Sequence, residues 1–489
     1  MKSYVFLILV RRISQLFFLF LSLFFIKNFF YFEPLLGLSL FLSSRIFAKL
    51  FFFSIFTLML TLFWGRFFCG WVCPLGTLQQ AFSYFFKKIF FKKRKELYHP
   101  YQKIKYLFLI FLLILAIFKI NLLGLISPLT IFSRGIISFR NIIAGKILAL
   151  FLLLNKYTDL FAFDRLFYWF QENIEYFSFK STRLTYVLGW WLVIILGLNL
   201  FTTRFWCRYL CPLGGFLGFV SWKSILRIVH TDNCQNCLRC VEHCQGACNP
   251  HLKNKWIKQE CIFCLNCLNC PEGNLKLISQ ISNYRPERLN YQKIDLTRRE
   301  ILYTLGGILL LYPLFKLNLK RSLYSLPLLR PPGALREDDF LNQCIRCHNC
   351  IKICPTKFLQ PTLIEAGISG LFTPYGNGRV GYCKYDCNLC GLVCPSGAIR
   401  NLNLFEKQKV KIGTAFIEKE KCLVYAQRTG CLKCFLNCPL RKKAIISVEA
   451  EEGLYGPEII SEHCIGCALC EYVCPTKAIV TKGVSQKNT

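Results

Sequence analysis

Cys344, Cys347, Cys350 and Cys354-Pro355 follow a C-x2-C-x2-C-x3-CP spacing, and the same spacing returns at Cys464, Cys467, Cys470 and Cys474-Pro475. No other feature narrows the possible folds as much. Three thiols two residues apart oblige the backbone to turn tightly round one compact centre, and the fourth opens a helix that hands its thiolate to a neighbouring centre. The chemistry that fits is a [4Fe-4S] cubane held by four thiolates. Two further runs keep the closing spacing and lengthen the opening: Cys383, Cys387, Cys390 and Cys394-Pro395 by one residue, and Cys422, Cys431, Cys434 and Cys438-Pro439 by a longer insertion. Lengthening a loop adds little closure entropy, so all four runs are expected to bind clusters.

Two more runs lie upstream. Cys234, Cys237, Cys240 and Cys244 form one, with Gln245 in place of proline and Cys248 as an additional candidate. Cys261, Cys264, Cys267 and Cys270-Pro271 form the other, one residue short in its last gap. By ligand exchange Cys270 completes the first cluster and Cys244 the second. Six clusters occupy twenty-four of the 29 cysteines. Disulfide scaffolds are short chains with scattered cysteines, and zinc sites rarely use a four-cysteine run closed by proline. Cys344-Ile-Arg-Cys347-His348 also reads as a c-type haem attachment, but that reading strands Cys350 and Cys354.

Four of the remaining cysteines belong to an internal repeat, Arg66-Phe-Phe-Cys-Gly-Trp-Val-Cys-Pro-Leu-Gly76 and Arg204-Phe-Trp-Cys-Arg-Tyr-Leu-Cys-Pro-Leu-Gly214. Cys69 and Cys73, like Cys207 and Cys211, stand four apart and so share a helix face. They are candidates for cofactor binding: a metal, a disulfide or the rim of a quinone site. The alternative is that cysteine and proline only end and pack these helices.

Both copies follow apolar stretches. About 13–30, 46–64, 104–120 and 184–201 each approach the ~20 residues that span a bilayer. Arg11 and Arg12 interrupt the apolar start, and Ile142–Leu154 is short enough to lie on the outer surface. Lys87, Lys88, Lys92, Lys93, Arg94 and Lys95 place the loop between the second and third spans in the cytoplasm, and the N-terminus with it. Thr297-Arg-Arg-Glu-Ile-Leu302 has the look of a twin-arginine export signal as well as of an ordinary basic flank, and Ile301–Leu317 is a fifth apolar segment. If it spans outward, the stiff segment Leu329-Arg-Pro-Pro-Gly-Ala334 and everything after it are periplasmic.

The formal net charge of +34 is spread beside the apolar helices, where lipid headgroups and anionic clusters account for it, so nucleic acid is not an expected partner. No Walker loop or dinucleotide fingerprint follows a strand. Glu33, His99, Asp164 and Glu172 are possible proton acceptors for quinol chemistry, though residues so placed are more often solvated at the interface, and no catalytic base is assigned.

With these motifs in place, residues 1–280 resemble the NapH-type membrane quinol dehydrogenase subunit of periplasmic nitrate reductase systems. From about residue 297 the chain resembles the NapG-type (MauM/NapG) exported polyferredoxin, as a fusion of the two. The fold class expected is a multi-pass α-helical membrane domain plus α+β ferredoxin-like [4Fe-4S] domains. Its divisions are 1–222, a four-helix transmembrane domain; 223–283, a cytoplasmic two-cluster domain; 284–320, the twin-arginine-like segment and fifth helix; 321–336, a Pro-rich linker; and 337–489, a periplasmic four-cluster domain. The resemblance implies an inner-membrane protein that takes electrons from the quinol pool and delivers them through its clusters to a periplasmic reductase or cytochrome. A maturation reductase for a periplasmic or membrane metalloenzyme is the rival function.

Overall fold

The computed structural model describes residues 2–45, 49–90, 96–139, 183–230, 237–252, 256–270, 275–279, 294–316, 327–363, 365–451 and 453–484. Cys234, Pro271, Ile142–Leu154, Asp164 and Glu172 lie outside the described residues. The chain folds as two compact units: residues up to Ile136 with Val187–Leu314, and a second unit built on Phe315–Thr489.

The first unit joins apolar helices to the two upstream cysteine runs. Helix α1 is Lys2–Phe29, irregular only at Phe25. Arg11 and Arg12, expected to break the apolar start, lie inside it. Arg11 is wholly buried and donates to Asn266 Oδ1 at 3.0 Å, so the charge docks a cysteine loop rather than ending a helix. Pro34 opens α2, Pro34–Ser44, at the position where its missing N–H costs nothing. Arg45, in the left-handed region, closes that helix, and α3, Lys49–Trp64, follows. The two helices pack as an apolar hairpin that the sequence pattern did not separate. Pro74–Phe90 is α5 and follows the short α4, Phe67–Trp71; Ile104–Ile117 is α6.

The second copy of the repeat is α7, Arg183–Gly197, then a π turn over Trp206–Leu210, then α8, Pro212–Ser221. Among the described residues two helical stretches, Val5–Phe32 and Pro100–Ile117, are long and apolar enough to cross a membrane. Those expected at 46–64 and 184–201 are shorter, because Gly65 at φ 75 ends α3 and a 3-10 turn at Leu198–Leu200 ends α7. Strands β1, Leu226–His230, and β2, Leu275–Ser279, pair antiparallel with Ile228 opposite Leu277 and bracket the cysteine loops. Helix α9, Arg298–Lys316, starts with a capping box: Thr297 N donates to Glu300 Oε2 at 2.8 Å and Glu300 N to Thr297 Oγ1 at 3.3 Å. The twin-arginine-like residues are thus also a helix start.

In the second unit three short sheets, among the described residues, accompany four cysteine loops. Strands β3, Leu359–Pro361, and β4, Pro374–Gly376, pair antiparallel, as do β5, Gly413–Ile417, and β8, Ile479–Gly483. Between β5 and β8 lies the hairpin of β6, Ile445–Glu451, and β7, Leu454–Ile459. Two apolar cores follow. One packs Cys344 and Cys350 with Phe340, Phe358 and Ile399; the other packs Cys434 and Cys470 with Ala415, Ile445 and Ile479. The segment 329–334, expected to be a linker, is buried in the first core. Gly376 N donates to Leu329 O at 2.7 Å, Arg400 N to Gly333 O at 2.7 Å, and Arg330 pairs with Glu337 at 2.6 Å. Its two prolines hold it extended along that core instead of between domains.

Candidate metal centres

Each cysteine loop is shaped by where its backbone turns left-handed. In three runs the residue before the second cysteine and the residue after it both have positive φ: Phe263 and Leu265, Arg346 and His348, Gly466 and Ala468. That winding turns successive N–H groups inward as a nest for an anionic centre. The lengthened runs do without it. Asn388 and Leu432, each directly after its second cysteine, have φ of −127° and −122°. After the closing Cys-Pro the turns converge again, with Lys357, Gly397 and Lys477 all left-handed three residues on.

The thiols group across runs in the exchanged pattern. Burial raises Cys350 well above its ordinary range, and the neighbours that raise it further are Cys347, Cys344 and Cys394. Cys390 is pushed up to about 12 by burial and then by Cys354 and Cys387. Burial likewise pushes Cys434 up to about 12, with Cys422, Cys474 and Cys431 adding to it. Cys470 is raised by burial and by Cys467, Cys464 and Cys438. Each set joins thiols of one run to the last thiol of its partner, and Cys383 meets Cys390 and Cys354 as well. Thiols so buried stay protonated unless a cationic core draws off the proton, which is what iron supplies. Cys383 N also donates to Cys467 O at 2.8 Å, and Tyr382 and Tyr472 lie 5.5 Å apart, so the second and fourth loops touch.

In the first unit Cys267 is raised by burial and by Cys264, Cys261 and Cys244, which puts Cys244 with the later run. Cys244 keeps the turn of a Cys-Pro closure although Gln245 follows it. Ala247 is left-handed three residues on, and Cys248 N donates to Cys244 Sγ at 3.5 Å as Ala478 N does to Cys474 Sγ at 3.3 Å. Cys248 therefore stands where the other run has Ala478. Its own thiol lies 3.5 Å from that of Cys244, and the hydrogen bond between them lowers Cys244 below its ordinary range.

The internal repeat converges. Cys73 and Cys211 are the last residues before α5 and α8. Cys211 Sγ accepts from Gly214 N at 3.3 Å, and the matching bond from Gly76 eases Cys73. Burial raises Cys73, with Cys69 and Cys207 next; burial raises Cys211, with Cys207, Cys69 and Cys73 next. Each repeat lends its arginine to the other. Arg204 Nη1 donates to Cys69 O at 3.1 Å, and Arg66 Nη2 lies 2.8 Å from where a Cβ on Gly214 would stand. Both arginines are 1% exposed. The sequence carried the signal, since an arginine opens both copies, but not the partner of either.

Arg66 also donates to Gln259 O at 3.1 Å and meets Glu260, which pairs with the buried Lys105 and accepts from Tyr106 at 2.9 Å. A cavity of about 600 Å³ is lined by Gln15, Thr77, Gln80, Arg204, His243 and Cys244, among others. Gln80 Oε1 accepts from Gln15 at 2.9 Å and from Arg204 at 2.8 Å. Of the proton acceptors weighed from sequence, Glu33 is fully buried rather than solvated and accepts from Ser127 at 2.5 Å, whereas His99 is exposed and caps a 3-10 turn. Among the described residues no group of three His, Cys, Asp or Glu is drawn tight enough for a single metal ion.

Comparison with known proteins follows this division. A 4Fe-4S binding domain family matches residues 47–93 and 184–228, and a 4Fe-4S dicluster domain family matches 427–478. The ferredoxin-type protein NapG of Escherichia coli is 31% identical over 36% of this chain and 78% of its own length. The methylamine utilization ferredoxin-type protein MauM of Methylobacillus flagellatus is 33% identical over 42% of the chain and 85% of its own. The ferredoxin-type protein NapF of Escherichia coli is 31% identical over 32% and 84% respectively. No solved structure matches.

Proposed function

The chain belongs to the NapG/MauM family of ferredoxin-type proteins, and from that premise we propose that it is anchored in the inner membrane by its apolar helices, oxidises a membrane quinol and delivers the electrons to a periplasmic reductase or cytochrome. It is a ferredoxin-type 4Fe-4S electron-transfer protein. The observation that carries the proposal is the grouping of buried thiols into exchanged sets of four, each a complete ligand set for one cluster.

On this reading Cys344, Cys347, Cys350 and Cys394 form one set and Cys383, Cys387, Cys390 and Cys354 the next. Cys464, Cys467, Cys470 and Cys438 form the third, and Cys422, Cys431, Cys434 and Cys474 the fourth. In the first unit Cys261, Cys264, Cys267 and Cys244 make one set, and Cys234, Cys237, Cys240 and Cys270 the sixth. Each cluster, when bound, takes up and gives back one electron at a potential set by nearby charge, hydrogen bonds and exposure. The contact between Cys383 and Cys467 orders the second unit's centres as a line, with the first and third runs at its ends.

The cavity beside Cys244 suits a quinol headgroup: its size is that of a small-molecule site, and it borders α1, the longest apolar helix. A quinol there gives up two electrons and two protons. Arg204 and the Gln80 amide donate to its oxygens, and the exposed imidazole of His243 accepts protons.

Anaerobic titration of the purified full chain with a quinol, read by electron paramagnetic resonance, tests the proposal. Reduction of several centres under steady turnover is expected. Centres that dithionite reduces and quinol does not would overturn the quinol link, and reduction seen only during assembly of a partner enzyme would favour the maturation role.

A further inference from the structure

We infer that Cys69, Cys73, Cys207 and Cys211 together hold a further [4Fe-4S] cluster, a seventh, bridging the two copies of the internal repeat. The inference rests on the iron–sulfur reading above and goes beyond it by assigning the one group of cysteines which that reading leaves unused.

Neither copy suffices alone, since each matched stretch of the 4Fe-4S binding domain family contains only two cysteines. The fold brings the pairs together. All four thiols interact, three of them are 4–8% exposed, and Cys207 is half-buried. Cys73 and Cys211 cap the positive ends of α5 and α8, each accepting an N–H from the glycine three residues on, as a thiolate ligand would.

The surrounding charge is the second, independent observation. Arg66, Arg204 and Lys105 are all at most 1% exposed, and the carboxylate shared by Arg66 and Lys105 is that of Glu260 alone. Among the described residues no carboxylate pairs with Arg204. Arg66 Nε and Nη2 and Arg204 Nε are buried with no hydrogen-bond partner. Three cations buried beside one carboxylate, with these N–H groups unmet, leave positive charge in excess, so their position calls for an anion. A cubane with four thiolates is that anion, and Arg66 and Arg204 approach it from opposite copies. A disulfide is neutral and leaves the arginines uncompensated.

The position has a use. Arg204 joins Cys69 O to the cavity, which Cys244 lines on another side. A two-electron donor in that cavity would meet two one-electron acceptors.

The test is metal counting on the intact chain, prepared anaerobically, by native mass spectrometry with iron and acid-labile sulfide assays. The expected content is about 28 iron atoms per chain, and C207A/C211A is expected to lose about four irons and four sulfides. C69S, which keeps three ligands and nearly the native volume, is expected to show an altered or three-iron signal while circular dichroism reports intact helices. Cys248→Ala is expected to leave the iron and sulfide content unchanged. A wild-type ceiling of about 24 irons, a double variant with wild-type iron, or one zinc per chain would each overturn the inference. Failure of the underlying reading is distinct, because iron would then be nearly absent throughout.

Discussion

The indole N–H of Trp71 donates to the carbonyl oxygen of Phe263 at 3.0 Å, fastening the first Cys-x3-Cys-Pro turn to the loop between Cys261 and Cys264. Both residues are buried, and Phe67 stacks on the indole at 4.9 Å. Trp71→Phe keeps most of the packing and removes the donor, which leaves a buried carbonyl unsatisfied at a cost of about 1–3 kcal/mol. An unfolding free energy in urea lowered by that amount, with a shifted reduction potential for the centre at Cys261, is expected. An unchanged potential would show that the bond braces the fold without tuning the centre.

How much was legible beforehand depends on distance along the chain. The cysteine runs are local, so their spacing alone marked the candidate ligands and the expected exchange between partner runs. Arg204 and Cys69 are 135 positions apart, and no periodicity announces such a contact. Arg11 read as an interruption because a charge in an apolar stretch is usually solvated; here Asn266 and Gln80 solvate it from within. The segment 329–334 read as a linker because two prolines forbid a helix, yet an extended strand-like piece can be buried as well as exposed.

The grouping of thiols across runs in the second unit predicts non-local effects of its variants. Cys354 closes the first run but groups with Cys390 and Cys387, while Cys394 closes the second and groups with Cys350. Cys354→Ser is therefore expected to remove the signal of the centre at Cys383–Cys390 and spare that at Cys344–Cys350, with Cys394→Ser doing the reverse. Resolved electron paramagnetic resonance spectra of each variant decide it. Loss of the centre in the mutated run itself would mean that ligands are not exchanged.

Cys244 and Cys248 differ in the same way. Only Cys244 has the left-handed turn of a closing ligand, with Ala247 supplying it. Cys244→Ser is expected to cost about four iron atoms per chain, whereas Cys248→Ser keeps the iron and shifts the potential of the adjacent centre by altering a hydrogen bond to its sulfur ligand. Equal iron loss in both variants would give the two thiols interchangeable roles.

Glu260 is the carboxylate between Arg66 and Lys105, and it also accepts from Tyr106 at 2.9 Å. It is 1% exposed and its cationic partners no more so. Glu260→Gln preserves shape and strands two buried cations, which is expected to destabilise the first unit by about 3–5 kcal/mol. Removing one cation as well, in E260Q/K105M, relieves part of that loss, and the double-mutant cycle measures the coupling. If the single and double variants unfold at the same denaturant concentration, Lys105 and Glu260 do not form an energetic pair. In that event Arg66 alone carries the interaction, and E260Q/R66M becomes the combination that recovers stability.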